Sequence, residues 1–185
     1  VDSAGLTVAA AHAGSSGSFA AVGSAGLTLA GAYGTLLIHP DGSYTYTPGA
    51  GAQALNSGDT AQDTFVYQLS DGSLTSTATL TVNLTGANDA ALIGGTVSGT
   101  VKEDTAGQLS TGGTLTVTDV DSPASFVPAA IGNSYGSFAI AANGSWTYTL
   151  NNADAGVQAL KEGETRTETF TVSSADGTTR NISVT

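Results

Sequence analysis

Along most of the chain, apolar and polar side chains alternate with a period of two, the spacing of strands rather than helices. Leu36 and Ile38 share one face, Asp41-Gly42 follows, and Tyr44 and Tyr46 return on one face with Ser43, Thr45 and Thr47 opposite. The pattern predicts a β-hairpin closed by a turn pair suited to positive φ. Phe138 and Ile140, Asn143-Gly144, then Trp146 and Tyr148 write the same hairpin again. Later strands are predicted around Phe65/Tyr67/Leu69, Leu80/Val82/Leu84, Phe170/Val172 and Ile182/Val184, with Thr filling outward positions as β-propensity favours. Residues 49–60 and 151–165 are the least strand-like and leave room for one short helical turn each.

The two hairpins belong to a tandem repeat. Tyr33-Gly34-Thr35 matches Tyr135-Gly136-Ser137 at an offset of 102 residues, and Asp41–Tyr46 matches Asn143–Tyr148 at the same offset. Gln53-Ala54-Leu55 matches Gln158-Ala159-Leu160 at 105, as do Phe65 with Phe170 and Asp71-Gly72 with Asp176-Gly177. Residues 1–89 and 90–185 are therefore expected to form two repeats, each an antiparallel β-sandwich, in an all-β chain. The copies differ at their starts. Leu6–Ala9 aligns with Leu115–Thr118 at an offset of 109, and copy two has a further predicted strand at Thr96–Lys102. The first sandwich is accordingly expected to lack its opening strand or to borrow one.

Composition narrows the function. Four Lys and Arg face 15 Asp and Glu, a net charge of −11, and all four cations (Lys102, Lys161, Arg166, Arg180) fall in the second copy. Such a chain repels phosphate backbones and anionic bilayers and attracts divalent cations. There is no cysteine to form a disulfide, and no apolar run approaches the roughly 20 residues that span a bilayer. The chain opens on Val1 without a leader, as expected of a piece of a larger protein. Catalytic signals are poor. His39-Pro40-Asp41 reads as a strand end and turn, His12 stands alone, and the Gly-x-Ser-x-Gly string Gly132-Asn133-Ser134-Tyr135-Gly136 leads into the predicted Phe138/Ile140 strand rather than a helix, so it is no nucleophile elbow. A non-enzyme is expected. Tyr44, Tyr46, Trp146 and Tyr148 could form a sugar-stacking face, but their alternation favours core packing.

Tyr33-Gly34-Thr35-Leu36, Asp41-Gly42-Ser43-Tyr44-Thr45-Tyr46, Gln53-Ala54-Leu55, Phe65–Gly72 and Leu80–Ala90 together resemble the VCBS repeat of large bacterial surface proteins. The resemblance covers nearly all of residues 30–185. It implies a cadherin-like or immunoglobulin-like sandwich repeated in a secreted RTX-type adhesin, where such repeats extend an adhesive tip from the cell and support biofilm formation. Neighbouring repeats of the same protein are then the expected partners, with a monomeric chain, no nucleic acid and no membrane insertion.

Calcium takes about six to eight oxygen ligands, more than one short loop supplies. The Asn88-Asp89 linker, Asp119-Val120-Asp121 after a strand, and Asp176 at a strand end resemble the ligands that bind calcium between cadherin domains. Up-and-down strand order places Asp119, Asp121 and Asp176 at one pole of copy two. It places Asp59, and less firmly Asp63, at the pole of copy one beside the linker. Ca2+ is thus the expected cofactor, with Asn88, Asp89, Asp119, Asp121, Asp176 and Asp59 as candidate ligands. The positions aligned with Asp119 and Asp121 in copy one are Ala10 and His12, leaving only Asp71 there, so no comparable ion is expected at that end. Glu103, Asp104 and Glu164 are expected to form at most a weak or empty half-site. The rival reading is a carbohydrate- or host-protein-binding sandwich.

Overall fold

A computed structural model describes residues 5–185 and divides the chain into two compact units, Val1–Asn88 and Asp89–Thr185. Unit 1 contains β1 (Thr7–Ala13), β2 (Ala20–Ala21), β3 (Leu27–Ala30), β4 (Gly34–Ile38), β5 (Tyr44–Pro48), the single turn α1 (Ala50–Gln53), β6 (Thr60–Ser70) and β7 (Thr75–Thr85). These form two antiparallel sheets, β2-β1-β6-β7 and β3-β4-β5. Unit 2 contains β8 (Leu92–Gly95), β9 (Ser98–Gly99), β10 (Ser110–Thr118), β11 (Ala129–Gly132), β12 (Gly136–Ile140), β13 (Ser145–Leu150), the single turn α2 (Ala155–Gln158), β14 (Glu168–Ser173) and β15 (Thr179–Val184). Its sheets run β11-β12-β13-β10-β8 and β14-β15-β9, with β9 parallel to β15. Both short helical turns lie where the break in alternation placed them. Within the expected Thr96–Lys102 strand only the two residues of β9, Ser98–Gly99, are extended strand, and a separate strand, β8, precedes it and ends at Gly95 with φ 96°.

The alternating residues fill the space between the sheets. In unit 2, Leu115, Phe126, Phe138, Ile140, Trp146, Tyr148, Phe170, Val172, Ile182 and Val184 form one buried cluster. Phe138 stacks on Phe170 with ring centres 4.5 Å apart, and the Trp146 indole N–H donates to the Thr96 carbonyl at 2.8 Å. In unit 1 the buried cluster is smaller: Val8, Ala11, Leu36, Ile38 and Phe65, with Tyr46, Tyr67, Leu80 and Val82 only half-buried around it.

The difference comes from the opening strands, where the expected alignment fails. Val8 N–H donates to Pro40 O and pairs with Leu69. Phe126 N–H donates to Ala142 O and pairs with Ser174. Pro40 and Ala142, and Leu69 and Ser174, are repeat counterparts, so β1 corresponds to the segment at Phe126, not to Leu115–Thr118. Ala10 and His12 are therefore not the counterparts of Asp119 and Asp121. Unit 1 lacks, among the described residues, any equivalent of β8, β9 and β10. Tyr44, expected in the core, is 53% exposed, whereas its counterpart Trp146 is 1% exposed. Tyr44 lies in a strand as its pattern predicts, but among the described residues no layer buries it.

Candidate metal centre and its surroundings

In unit 2 the strand β10 ends at Thr118 and the chain turns through Asp119-Val120-Asp121. The turn is tied down by Asp119, whose carboxylate accepts the N–H groups of Asp121 at 3.0 Å and Ser122 at 2.8 Å. Asp121 in turn accepts the N–H of Asp89 at 3.0 Å. Asp176, in the turn between β14 and β15, accepts the N–H of Ala91 at 3.0 Å. Thus both acidic turns hold the segment that leads into β8, and Asp89, Asp119, Asp121 and Asp176 gather at one pole of the unit.

Two of these carboxylates, Asp119 and Asp176, are held in their charged form. The Ser174 and Thr178 hydroxyls, with the Thr178 and Ala91 amides, hold Asp176 well below the usual carboxylate range against the opposing effect of burial. The Ser122 amide likewise holds Asp119 low, although the Asp176 charge works in the other direction. Two oxygens are left over. Asp119 Oδ2 and Asp121 Oδ1 are buried and accept no hydrogen bond. Buried ionised oxygens without donors are rare and costly, and hard carboxylate oxygen is the donor type calcium prefers. The residues present therefore fit a divalent cation. Among the described residues, no three acidic or histidine side chains already converge as a closed cage.

The remaining candidates lie in unit 1. Asp59 accepts the Asn56 N–H at 3.0 Å, and its carbonyl accepts the Gly86 N–H at 2.8 Å, beside the strand end that leads to the linker. Asn88 closes unit 1 and is exposed. Asp63 is different. It is buried and takes four donors: the Ala32, Tyr33 and Gly34 amides at 2.8, 3.1 and 3.1 Å and the Tyr46 hydroxyl at 2.6 Å. Its oxygens are occupied by this internal clasp. Unit 2 repeats the clasp with Tyr148 donating to Glu168, at the same repeat positions. Sequence reasoning missed it, though an acid on the inward face of the Asp63/Phe65/Tyr67/Leu69 alternation was the available signal.

At the opposite pole of unit 2, the Gln158 side chain donates to Asp104 at 3.2 Å, and Glu164 accepts the Lys161 N–H at 2.8 Å. Nearby lies a cleft of about 470 Å³ with Val157 and Leu160 at its wall and Lys102, Lys161 and Arg166 at its rim. The Arg166 guanidinium sits 4.3 Å from the centre of the Tyr135 ring. His12 is buried in unit 1 with its ring edge-on to Phe19, a packing role. No helix among the described residues is long and apolar enough to cross a membrane.

Two tandem all-β sandwiches of this connectivity define a cadherin-like protein. The chain belongs to the bacterial cadherin-like domain family, whose model matches residues 1–86 and 88–185. It also aligns with the crystal structure of chicken VE-cadherin EC1-2 over 94% of this chain and 90% of that one, at 14% identity and a TM-score of 0.36, a likeness too distant to build on. No curated protein matches the chain.

Proposed function

We propose that the chain is a non-enzymatic extender segment of a secreted bacterial surface adhesin, an RTX-type protein supporting cell adhesion and biofilm formation, in which calcium stiffens the start of the second repeat. The observation that carries this reading is the pair of buried, donor-less oxygens on Asp119 and Asp121 at the acidic pole. Bound there, calcium would supply the positive charge that this pole lacks. Asp119 and Asp121 would hold it, with Asp176 and Asp89 completing the local negative charge. Because Asp121 holds the Asp89 amide and Asp176 the Ala91 amide, locking these carboxylates also locks the chain as it enters β8. Without a cation the same carboxylates repel one another and loosen that entry. Affinity in the range of extracellular modules, about 10⁻⁴–10⁻³ M, suits calcium outside cells.

The test is calcium titration of the chain by calorimetry, with small-angle scattering before and after chelation. Uptake in the millimolar range and a wider spread of conformations in chelator are the expected results. Heats and scattering profiles indifferent to both would remove the proposal. A second reading, a binding module, is favoured by one observation only: three of the chain's four cations rim one cleft. A glycan array and a pull-down with Arg166→Ala as control distinguish it.

A further inference from the structure

We infer that the outer edge of β14 in unit 2 binds a partner's extended peptide segment, one with small apolar side chains at alternate positions and an acidic group just beyond its C-terminal end. Unit 1 fills the same edge from within. There β1 pairs antiparallel with β6, with Ala11↔Tyr67, His12↔Val66 and Ala13↔Phe65 in register, and the Gly14 N–H donates to the Thr64 carbonyl at 2.7 Å. The counterparts of Thr64, Val66 and Tyr67 are Thr169, Thr171 and Val172 of β14. In unit 2 the last bond along that edge runs from Val127 N–H to Ser173 O at 2.9 Å. Pro128 follows with no N–H to give, and the chain leaves to pair with β12 as β11. Thus β14 ends its sheet.

The difference is internal to the chain and bounded on both sides by matched strands. Val8 corresponds to Phe126, and Leu27 to Ala129, because Leu27 pairs with Ile38 and Ala129 with its counterpart Ile140. Position 27 lies 19 residues after Val8, whereas position 129 lies three after Phe126. The extra residues of unit 1 form the rest of β1 and all of β2.

Three observations mark the β14 edge as open to a strand. First, main-chain groups point into it. Ser174 N–H donates to Thr178 O, so alternation sends the groups of Phe170 and Val172 toward β15 and those of Thr169 and Thr171 outward. Second, a groove of about 610 Å³ follows the edge, with Thr169 and Thr171 on one wall and Ile131 on the other. Ile131 is 40% exposed, whereas its counterpart Leu29 packs against the core of unit 1. Third, the edge is unguarded. The one charge on β14 is Glu168, and the Tyr148 hydroxyl and the Asn133 side chain already engage it, although exposed edges are commonly protected by Lys, other charges or bulges. Added strands bind such edges through main-chain hydrogen bonds, with alternate side chains setting specificity.

The strand that fills this edge in unit 1 defines the occupant. Ala11 is fully buried and Ala13 packs against the core, so the residues opposite Val172 and Phe170 must be small and apolar. An antiparallel segment runs toward Thr167 and Arg166 as it leaves the ladder. Arg166 lines that end of the groove, its guanidinium 4.3 Å from the centre of the Tyr135 ring. A carboxylate shortly past the ladder complements this cation.

A synthetic peptide of residues 10–17 carrying Ser16→Glu, added to the full chain, tests this by amide hydrogen exchange. With the peptide at about ten times its Kd, exchange at Thr169 and Thr171 should slow by about tenfold, while Thr64 and Val66, whose edge is filled, stay unchanged. The same peptide with Ala13→Lys, which turns a charge onto the core, should give no protection. Arg166→Ala in the chain should weaken binding of the first peptide by about twofold or more. No slowing with the first peptide, equal slowing with both, or an affinity indifferent to Arg166→Ala overturns the inference. So does slowing of the same amides on concentrating the chain alone, which would mean that β14 pairs with a second copy.

Discussion

The side chains that decide the behaviour of the acidic pole differ in how many donors each oxygen has. Asp176 is surrounded by hydroxyls and amides, and Asp63 by three amides and a phenol. Asp119 and Asp121 each retain one buried oxygen with none. Replacing Asp121 by Asn keeps the shape and the hold on the Asp89 amide but removes a charge. Calcium affinity should then fall by at least about tenfold, read by calorimetry, whereas Asp41→Asn, in an exposed turn that binds only Ser43, should leave it unchanged. Equal affinities for the two variants would show that the ligands lie elsewhere. The tyrosine clasps make a separate pH prediction. Burial first, then the Asp63 hydrogen bond and charge, push the Tyr46 hydroxyl from 10.0 up to about 12, and the same causes with Glu168 raise Tyr148. A raised tyrosine pKa means that the folded state keeps a proton the unfolded chain has lost. This contribution is complete below about pH 10, the free tyrosine value, and disappears as pH rises through the folded value. Tyr46→Phe should flatten the alkaline loss of stability of unit 1 between those limits, measured by denaturant melts at stepped pH.

At the level of strands, the same hairpin sits in two different surroundings, which gives an internal comparison. Trp146 is packed between β10 and the Phe138 ring, 6.0 Å away, and its indole is hydrogen-bonded. Trp146→Ala should cost unit 2 about 3–5 kcal/mol. Tyr44→Ala, at the same repeat position but on an open edge, should change unit 1 by only about 0.5 kcal/mol, as for an ordinary surface site. Urea melts of the two variants check the contrast, and a large loss in Tyr44→Ala would mean that the edge is covered in solution. This contrast marks where the sequence was legible. Phe138, Ile140, Trp146 and Tyr148 announce a buried hairpin by period alone, and in unit 2 they are all buried. Tyr44 has the same pattern, because alternation records which face a side chain points to, not whether another strand lies over that face. The match of Leu6–Ala9 to Leu115–Thr118 misled for a related reason: four residues of Leu, Thr, Val and a small neighbour suit any strand. What identifies β1 is its pairing with Pro40 and Leu69, which no local pattern encodes. The acidic pole was legible in Asp119, Asp121 and Asp176 from strand order. The hydroxyls and amides that hold those carboxylates were not, because Ser174, Thr178 and Ser122 look like any other turn residue.

The whole chain therefore contains one repeat with three opening strands and an acidic pole, and one with neither feature among its described residues. Its stability should respond to calcium unevenly. A ligand that binds only the folded state stabilises it by RT ln(1 + [L]/Kd), about 1.4 kcal/mol when its concentration is ten times Kd. For a domain of about 100 residues this corresponds to a rise of roughly 5–10 °C in melting temperature. Among the described residues, the carboxylates with buried, unsatisfied oxygens belong to unit 2, so the gain should fall on the transition of that unit alone. Calorimetry in chelator and in millimolar calcium should show two transitions in both conditions. The one that carries the tryptophan fluorescence change should move upward in calcium, since Trp146 is the only tryptophan and lies in unit 2. The other should stay in place. Magnesium at the same concentration should move neither by as much, because it keeps several of its own waters and demands near-octahedral geometry. If both transitions rise together, the ion is held by ligands that unit 1 contributes as well, and Asp59 at its strand end beside Gly86 becomes the first residue to replace.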